Sequence, residues 1–122
     1  HLIQGDDLMS KSYTDITKRV ASNMAKLSKD TPKVIQTFSQ LATVAADDGT
    51  LDKKQKELIA LAIAVTQRCD ACIGFHMRAL VKLGATREEV SDTLGVCVYM
   101  GGGPAMMYAA DAIAAFDEFS AH

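Results

Sequence analysis

Apolar positions along the chain recur every three or four residues, and no sustained period of two interrupts them, so the pattern predicts helices and no strand. From residue 13 to about 29, Ile16, Val20, Met24 and Leu27 draw one apolar stripe on an otherwise polar helix. Thr31 and Pro32 mark the next start, with Thr as N-cap and Pro at the first helical position. Val34, Ile35, Phe38, Leu41 and Ala42 form the expected buried face of this second helix, which Asp47, Asp48 and Gly49 end as a turn. A third helix is expected from near Asp52 to about Arg68. Its first half is charged and its second half is apolar almost all round, which predicts a central, enclosed element.

A fourth helix should start at or within the pair Cys69 and Cys72 and end at Gly84, a residue suited to a left-handed cap. Thr86 and Glu89 match a capping box, and the helix they open carries Val90, Leu94, Cys97 and Val98 on one side. Gly101, Gly102, Gly103 and Pro104 then break the chain, and Pro104 suits the first turn of a last helix through Met106, Met107, Ile113, Phe116 and Phe119. The expected fold is therefore all-α, a compact bundle of about six helices in one domain over residues 9–122. Residues 1–8, HLIQGDDL, precede a methionine and show no hydrophobic period. They read as an expression remnant or a disordered arm and are left out of the fold.

Composition sharpens this picture. The chain has 122 residues, 48% of them hydrophobic but only 6% aromatic, with no Trp. Alanine-rich helices approach closely yet bury less area than Phe or Trp would, which leaves apolar surface to cover and predicts self-association. A net charge of −2 supplies no electrostatic footprint for nucleic acid or an anionic membrane. The longest apolar run, residues 58–65, is too short to span a bilayer and no signal-peptide pattern precedes it, so a soluble, cytoplasmic protein is expected. Three cysteines, two of them close together, do not read as a secreted disulfide scaffold. In a reducing compartment such spacing is catalytic or metal-binding.

The chemistry concentrates in residues 57–84. Two thiols three residues apart at a helix start lie within disulfide reach, and the partial positive charge of a helix N-terminus favours the reactive thiolate. His76 follows Cys72 by one turn, so an imidazole nitrogen can take or return that thiol's proton. At roughly 100° per residue, Cys69, Cys72 and His76 fall within about 60° of arc. Glu57 would stand roughly 18 Å from Cys69 along an unbroken helix at 1.5 Å per residue. It reaches the site only if the chain reverses near Arg68 and lays the third helix beside the fourth, where it can face His76. Otherwise Glu57 is a solvated side chain paired with Lys53.

The spacing E-x11-C-x-x-C-x3-H, with the phrases KELIALAIAV, FHMRALVKLGAT and GGGPA, resembles the alkylhydroperoxidase D (AhpD)-like branch of the carboxymuconolactone decarboxylase family over roughly residues 50–119. The resemblance implies an all-α fold, homo-oligomers (trimers or hexamers) and active sites near subunit contacts. It implies reduction of a hydroperoxide or a partner disulfide by a cycling dithiol, reset by a thiol reductant, with Glu57 and His76 as proton relay. No organic cofactor or metal is needed for that chemistry. Cys69 is favoured as the thiol presented to substrate and Cys72 as the one in the relay. Ala71 stands where the mycobacterial-type peroxidases of this branch carry a second histidine between the cysteines, a departure that bears on peroxidase efficiency.

Two other chemistries fit the residues. Cys69, Cys72 and His76 supply three zinc ligands, with a fourth needed from Glu57, Cys97 or another subunit. Decarboxylase or lactone-processing chemistry is the other inheritance of the wider family, whose decarboxylase branch generally lacks the cysteine pair. Cys97 on an apolar stripe reads as core, Met106 and Met107 as packing, and the triple glycine as a tight turn rather than an anion cradle. His1 and His122 are terminal and carry no role.

Overall fold

The computed structural model describes residues 11–121, so residues 1–10, with the proposed terminal arm, and His122 lie outside the described residues. Five α-helices follow one another: α1 (Tyr13–Asp30), α2 (Pro32–Ala46), α3 (Lys53–Thr66), α4 (Asp70–Lys82) and α5 (Arg87–Ser120). Each boundary has a local cause. Ser12 accepts from the Asp15 amide to open α1, and Pro32 occupies the first turn of α2. Asp52 and Gln55 form a capping box at α3, and Thr86 and Glu89 form the expected one at α5. Thr31 holds the N-cap position of α2, but its hydroxyl makes no capping bond.

Helices α3, α4 and α5 pack against one another, with the start of α1 laid across α4. Leu61, Val65, Ile73, Met77, Leu80 and Val90 are fully buried between them. Val90, Leu94 and Cys97 take the core positions expected of them. The C-terminal half of α5 faces the core mainly with Ala105, Ala109, Ala112 and Ala115, small residues that let helix axes approach. Gly74 serves the same end on α4. A Cβ built there would meet Thr17 Cγ2 at 2.6 Å and Tyr13 Cδ1 at 3.4 Å, so α1 crosses where α4 has no side chain.

One expectation is met and two are corrected. The two helices expected on either side of Gly101–Pro104 are both present, joined end to end within α5 across a kink at Gly102. That residue has φ 72° and ψ −155°, a conformation essentially confined to glycine, so the axis changes direction without a loop. Next, α2 buries none of its residues. Val34, Phe38 and Leu41, placed on a buried face by their period, are all more than 60% exposed, because α2 packs only on α1 and α3 and stands off the core. Met24 and Leu27, on the part of α1 leading to it, are exposed for the same reason, and burial on α1 falls instead on Tyr13 and Thr17.

Finally, α3 is not enclosed. Leu61, Ala64 and Val65 are buried, but Ile59 and Ile63 point outward, as do Val96, Tyr99, Met100, Met106 and Met107 on α5. Periodicity marks which positions are apolar, not whether one chain has enough mass to cover them. The methionine pair therefore does not pack into this chain's core.

Candidate active site

The junction between α3 and α4 builds the site. Helix α3 ends with the Arg68 amide bonded to the Val65 carbonyl and the Cys69 amide bonded to the Ala64 carbonyl, the paired bonds of a Schellman motif. Arg68 takes the left-handed position with φ 59°, where glycine is usual. The chain reverses there as anticipated, and Cys69 becomes the N-cap of α4 without an intervening loop.

Cys69 and Cys72 are joined as a disulfide, their Cα atoms 5.2 Å apart. The Cys72 amide donates to Cys69 Sγ at 3.2 Å, so this sulfur receives one of the free amides of the helix start. Both cysteines are partly exposed. The third cysteine, Cys97, is buried; burial pushes its thiol pKa up, and its thiol contacts the Ala62 and Thr93 carbonyls at 3.7 and 3.5 Å. That is the environment of an inert core thiol.

The reversal at Arg68 returns Glu57 to the site. Glu57 Oε1 lies 2.7 Å from His76 Nδ1, bridging α3 to α4. The carboxylate side chain is only 15% exposed and the imidazole 36%, so the pair is shielded on the acid side and open on the base side. Lys53, the alternative partner, reaches instead toward Asp47 at 3.9 Å. The contact orients the imidazole ring, and with Nδ1 engaged by the carboxylate, Nε2 is the nitrogen left for proton exchange. His76 sits one turn beyond Cys72 on α4, so the four sequence-selected residues form two pairs at neighbouring turns, Cys69 with Cys72 and Glu57 with His76.

Beside this pair lies a groove of about 430 Å³ lined by Ala42, Ala45 and Ala46 of α2, Ile59, Ala60 and Ile63 of α3, and the Glu57 and His76 side chains. Its wall is apolar apart from that pair and Lys56. Among the described residues, no group of three or more His, Cys, Asp or Glu side chains is arranged to hold a metal ion. No helix among them is long and apolar enough to cross a membrane.

Two contributors escaped the sequence reading. Asp70, between the cysteines, pairs with Lys11 at 3.1 Å, and Lys11 also reaches Asp111 at 2.7 Å. No local signal links positions so far apart in the chain. The left-handed Arg68 was equally invisible, because the residue type there argues against that conformation.

Fold and junction together place the molecule among small all-helical proteins centred on a paired-cysteine helix start. More particularly, the chain belongs to the carboxymuconolactone decarboxylase family, whose model matches residues 32–115. It is similar to the apo structure of lpg0406, a carboxymuconolactone decarboxylase family protein from Legionella pneumophila. That likeness has 56% identity and a TM-score of 0.86 over 88% of this chain and 96% of the other. An uncharacterised protein of Cupriavidus necator is 37% identical over 88% of this chain and 98% of its own length. Alkyl hydroperoxide reductase AhpD of Mycobacteroides abscessus is 33% identical over a shorter stretch, 43% of this chain and 30% of that protein.

Proposed function

We propose that the protein is a thiol–disulfide oxidoreductase of the AhpD-like kind, reducing a hydroperoxide or a partner disulfide through Cys69 and Cys72. The observation that carries this reading is the Cys69–Cys72 disulfide at a helix start whose next turn bears an imidazole held by a carboxylate. The partial likeness to a mycobacterial alkyl hydroperoxide reductase supports it.

In the reduced protein, Cys69 is the nucleophile. As a thiolate, its sulfur would keep the Cys72 amide as a donor and gain from the helix start. With a hydroperoxide, the thiolate attacks the terminal oxygen, the O–O bond breaks, and the departing alkoxide takes a proton relayed through His76. The resulting sulfenic acid condenses with the Cys72 thiol, releasing water and forming Cys69–Cys72. With a disulfide partner, the same attack gives a mixed disulfide that Cys72 resolves. Two electrons from an external thiol reductant then restore the dithiol. Glu57 holds His76 in register and stabilises the imidazolium that forms between proton transfers.

The test is free-thiol titration of the reduced protein before and after peroxide, with a metal assay on the same sample. Two thiols should be lost per chain, and Cys69→Ser and Cys72→Ser should each abolish turnover. Turnover that survives both replacements would point to decarboxylase or lactone chemistry, and stoichiometric metal with chelator sensitivity to a zinc module. Glu57→Gln should lower peroxide turnover by about tenfold to a hundredfold, at or below the roughly hundredfold or more that a general acid–base group itself contributes, because Glu57 acts only through His76.

We also propose that the chain works as a homo-oligomer. The large apolar side chains left exposed on α2, α3 and α5 support this, since covering them against a second copy would bury apolar area that one chain leaves in water. A monomer by light scattering at micromolar concentration would overturn it.

A further inference from the structure

The first turn of α4 carries a charge arrangement that the peroxidase reading leaves unused. Asp70 follows Cys69 and precedes Cys72 by two residues, so a carboxylate is built into the redox motif itself. A bare carboxylate there would oppose ionisation of either thiol, because two negative charges would share one helix turn. The structure answers it with Lys11, from the segment just before α1. Its Nζ lies 3.1 Å from Asp70 Oδ1, 2.7 Å from Asp111 Oδ2 on α5, and 5.1 Å from the centre of the Tyr108 ring.

Two observations say that this ammonium is held rather than casually placed. It bridges three separate parts of the chain, the N-terminal segment, α4 and α5. The segment is itself anchored, since Glu118 of α5 accepts from the Ser12 hydroxyl and from the Tyr13 and Thr14 amides at 2.9–3.1 Å. Burial acts against the charge on Lys11, but hydrogen bonds to Asp111 and Asp70 outweigh it and raise its pKa, so it is protonated near neutral pH.

We infer that Lys11 is a positioning residue for the thiol chemistry: by offsetting the Asp70 charge it keeps the Cys69 and Cys72 thiols acidic enough to react near neutral pH. This rests on the reading of the two cysteines as working thiols. The other charged or titratable groups about this turn are Tyr13 from α1, Glu57 and the junction residue Arg68, His76 on α4 itself, and Asp111 and Tyr108 from α5. Tyr13 does not compete for the role. Its hydroxyl is buried with no hydrogen-bond partner among the described residues, and burial raises its pKa, so it remains neutral.

Coulomb's law sets the expected size. For a charge at an assumed separation of about 7 Å from a partly exposed thiol, losing the ammonium raises the thiol pKa by about one unit at an effective dielectric constant near 40. Below that pKa the thiolate fraction falls tenfold while its intrinsic nucleophilicity rises about threefold, leaving a net loss of about threefold in rate. Above it the sign reverses, and the variant reacts faster than the parent. Crossing pH–rate curves are therefore the signature, and a mere loosening of structure does not produce them.

The experiment is alkylation of the reduced protein by iodoacetamide from pH 5 to 10, read by mass spectrometry at Cys69 and Cys72. In this reaction the thiolate displaces iodide, so neither peroxide nor a reductant is consumed. Lys11→Met should shift the more reactive thiol up by about one unit and give crossing curves. Lys11→Arg should keep the parental profile, and Lys11→Met with Asp70→Asn should return most of the way to it. An unmoved profile in Lys11→Met, or a shift that Asp70→Asn does not reverse in the double variant, overturns the inference. Far-UV circular dichroism confirms that each variant is helical, and Lys11→Arg carries the test if Lys11→Met does not fold: its profile must then match the parent. Parental peroxide turnover with an unmoved profile sinks only this inference, whereas a shifted profile without any peroxide or disulfide turnover sinks only the proposed activity.

Discussion

Replacing Gly74 by Ala tests the packing that holds α1 over the paired-cysteine helix. A Cβ at this position meets Thr17 Cγ2 at 2.6 Å, where ordinary contact begins near 3.4 Å. Thr17 cannot easily yield. It is 1% exposed, and its hydroxyl donates to the Tyr13 and Thr14 carbonyls at 2.9 and 3.1 Å, so turning the side chain breaks a buried bond. Overpacking of this kind costs about 1–3 kcal/mol, and the loss of buried hydrogen-bond geometry places it in the upper half of that range. Alanine returns about 1 kcal/mol through its helix propensity, so the net destabilisation is about 1–2 kcal/mol. Urea denaturation followed by circular dichroism should show it as a lower midpoint with an unchanged slope. Thr17→Ser removes the opposing methyl, so in the double variant most of the Gly74→Ala cost should disappear. A Gly74→Ala protein as stable as the parent, or a double variant with no recovery, would refute the account of this crossing.

Two further outcomes follow from the ends of the helices. Burial works to raise the Glu118 pKa, but hydrogen bonds from Thr14, Tyr13 and Ser12 outweigh it and hold the carboxyl below the ordinary range. Its contribution to stability is thus complete above the unfolded-chain value and is lost as pH falls through the lower folded value, a decline that starts below about pH 5. Glu118→Gln should cost about 1–2 kcal/mol at pH 7 and flatten the acid limb of a stability–pH curve; an unchanged limb contradicts the assignment. Arg68→Gly should stabilise the protein by about 0.5–1 kcal/mol, because glycine adopts the left-handed conformation at φ 59° without steric penalty. A lower denaturation midpoint for this variant would mean that the Arg68 side chain contributes more than the strain it brings.

Much of the site was legible because its parts are close in sequence. Cys69, Cys72 and His76 share one helix, and helical spacing alone puts them on one side. Glu57 could be selected but not placed, since its position depends on a reversal at Arg68, and arginine carries no local signal for a left-handed turn. Lys11 and Asp70 could not be paired at all. Their contact depends on how α1 lies across α4, and that crossing depends on the absence of a side chain at Gly74.

The sequence by itself determined the helical content, most helix ends and the paired-cysteine motif, because capping, periodicity and thiol spacing are settled within a few residues. Only the tertiary structure decided which apolar faces are covered. Val34, Phe38 and Leu41 have the same period as a core stripe, yet α2 stands away from the bundle and leaves them open. Burial is a property of what packs opposite a residue, and no single stretch of chain encodes its own neighbour.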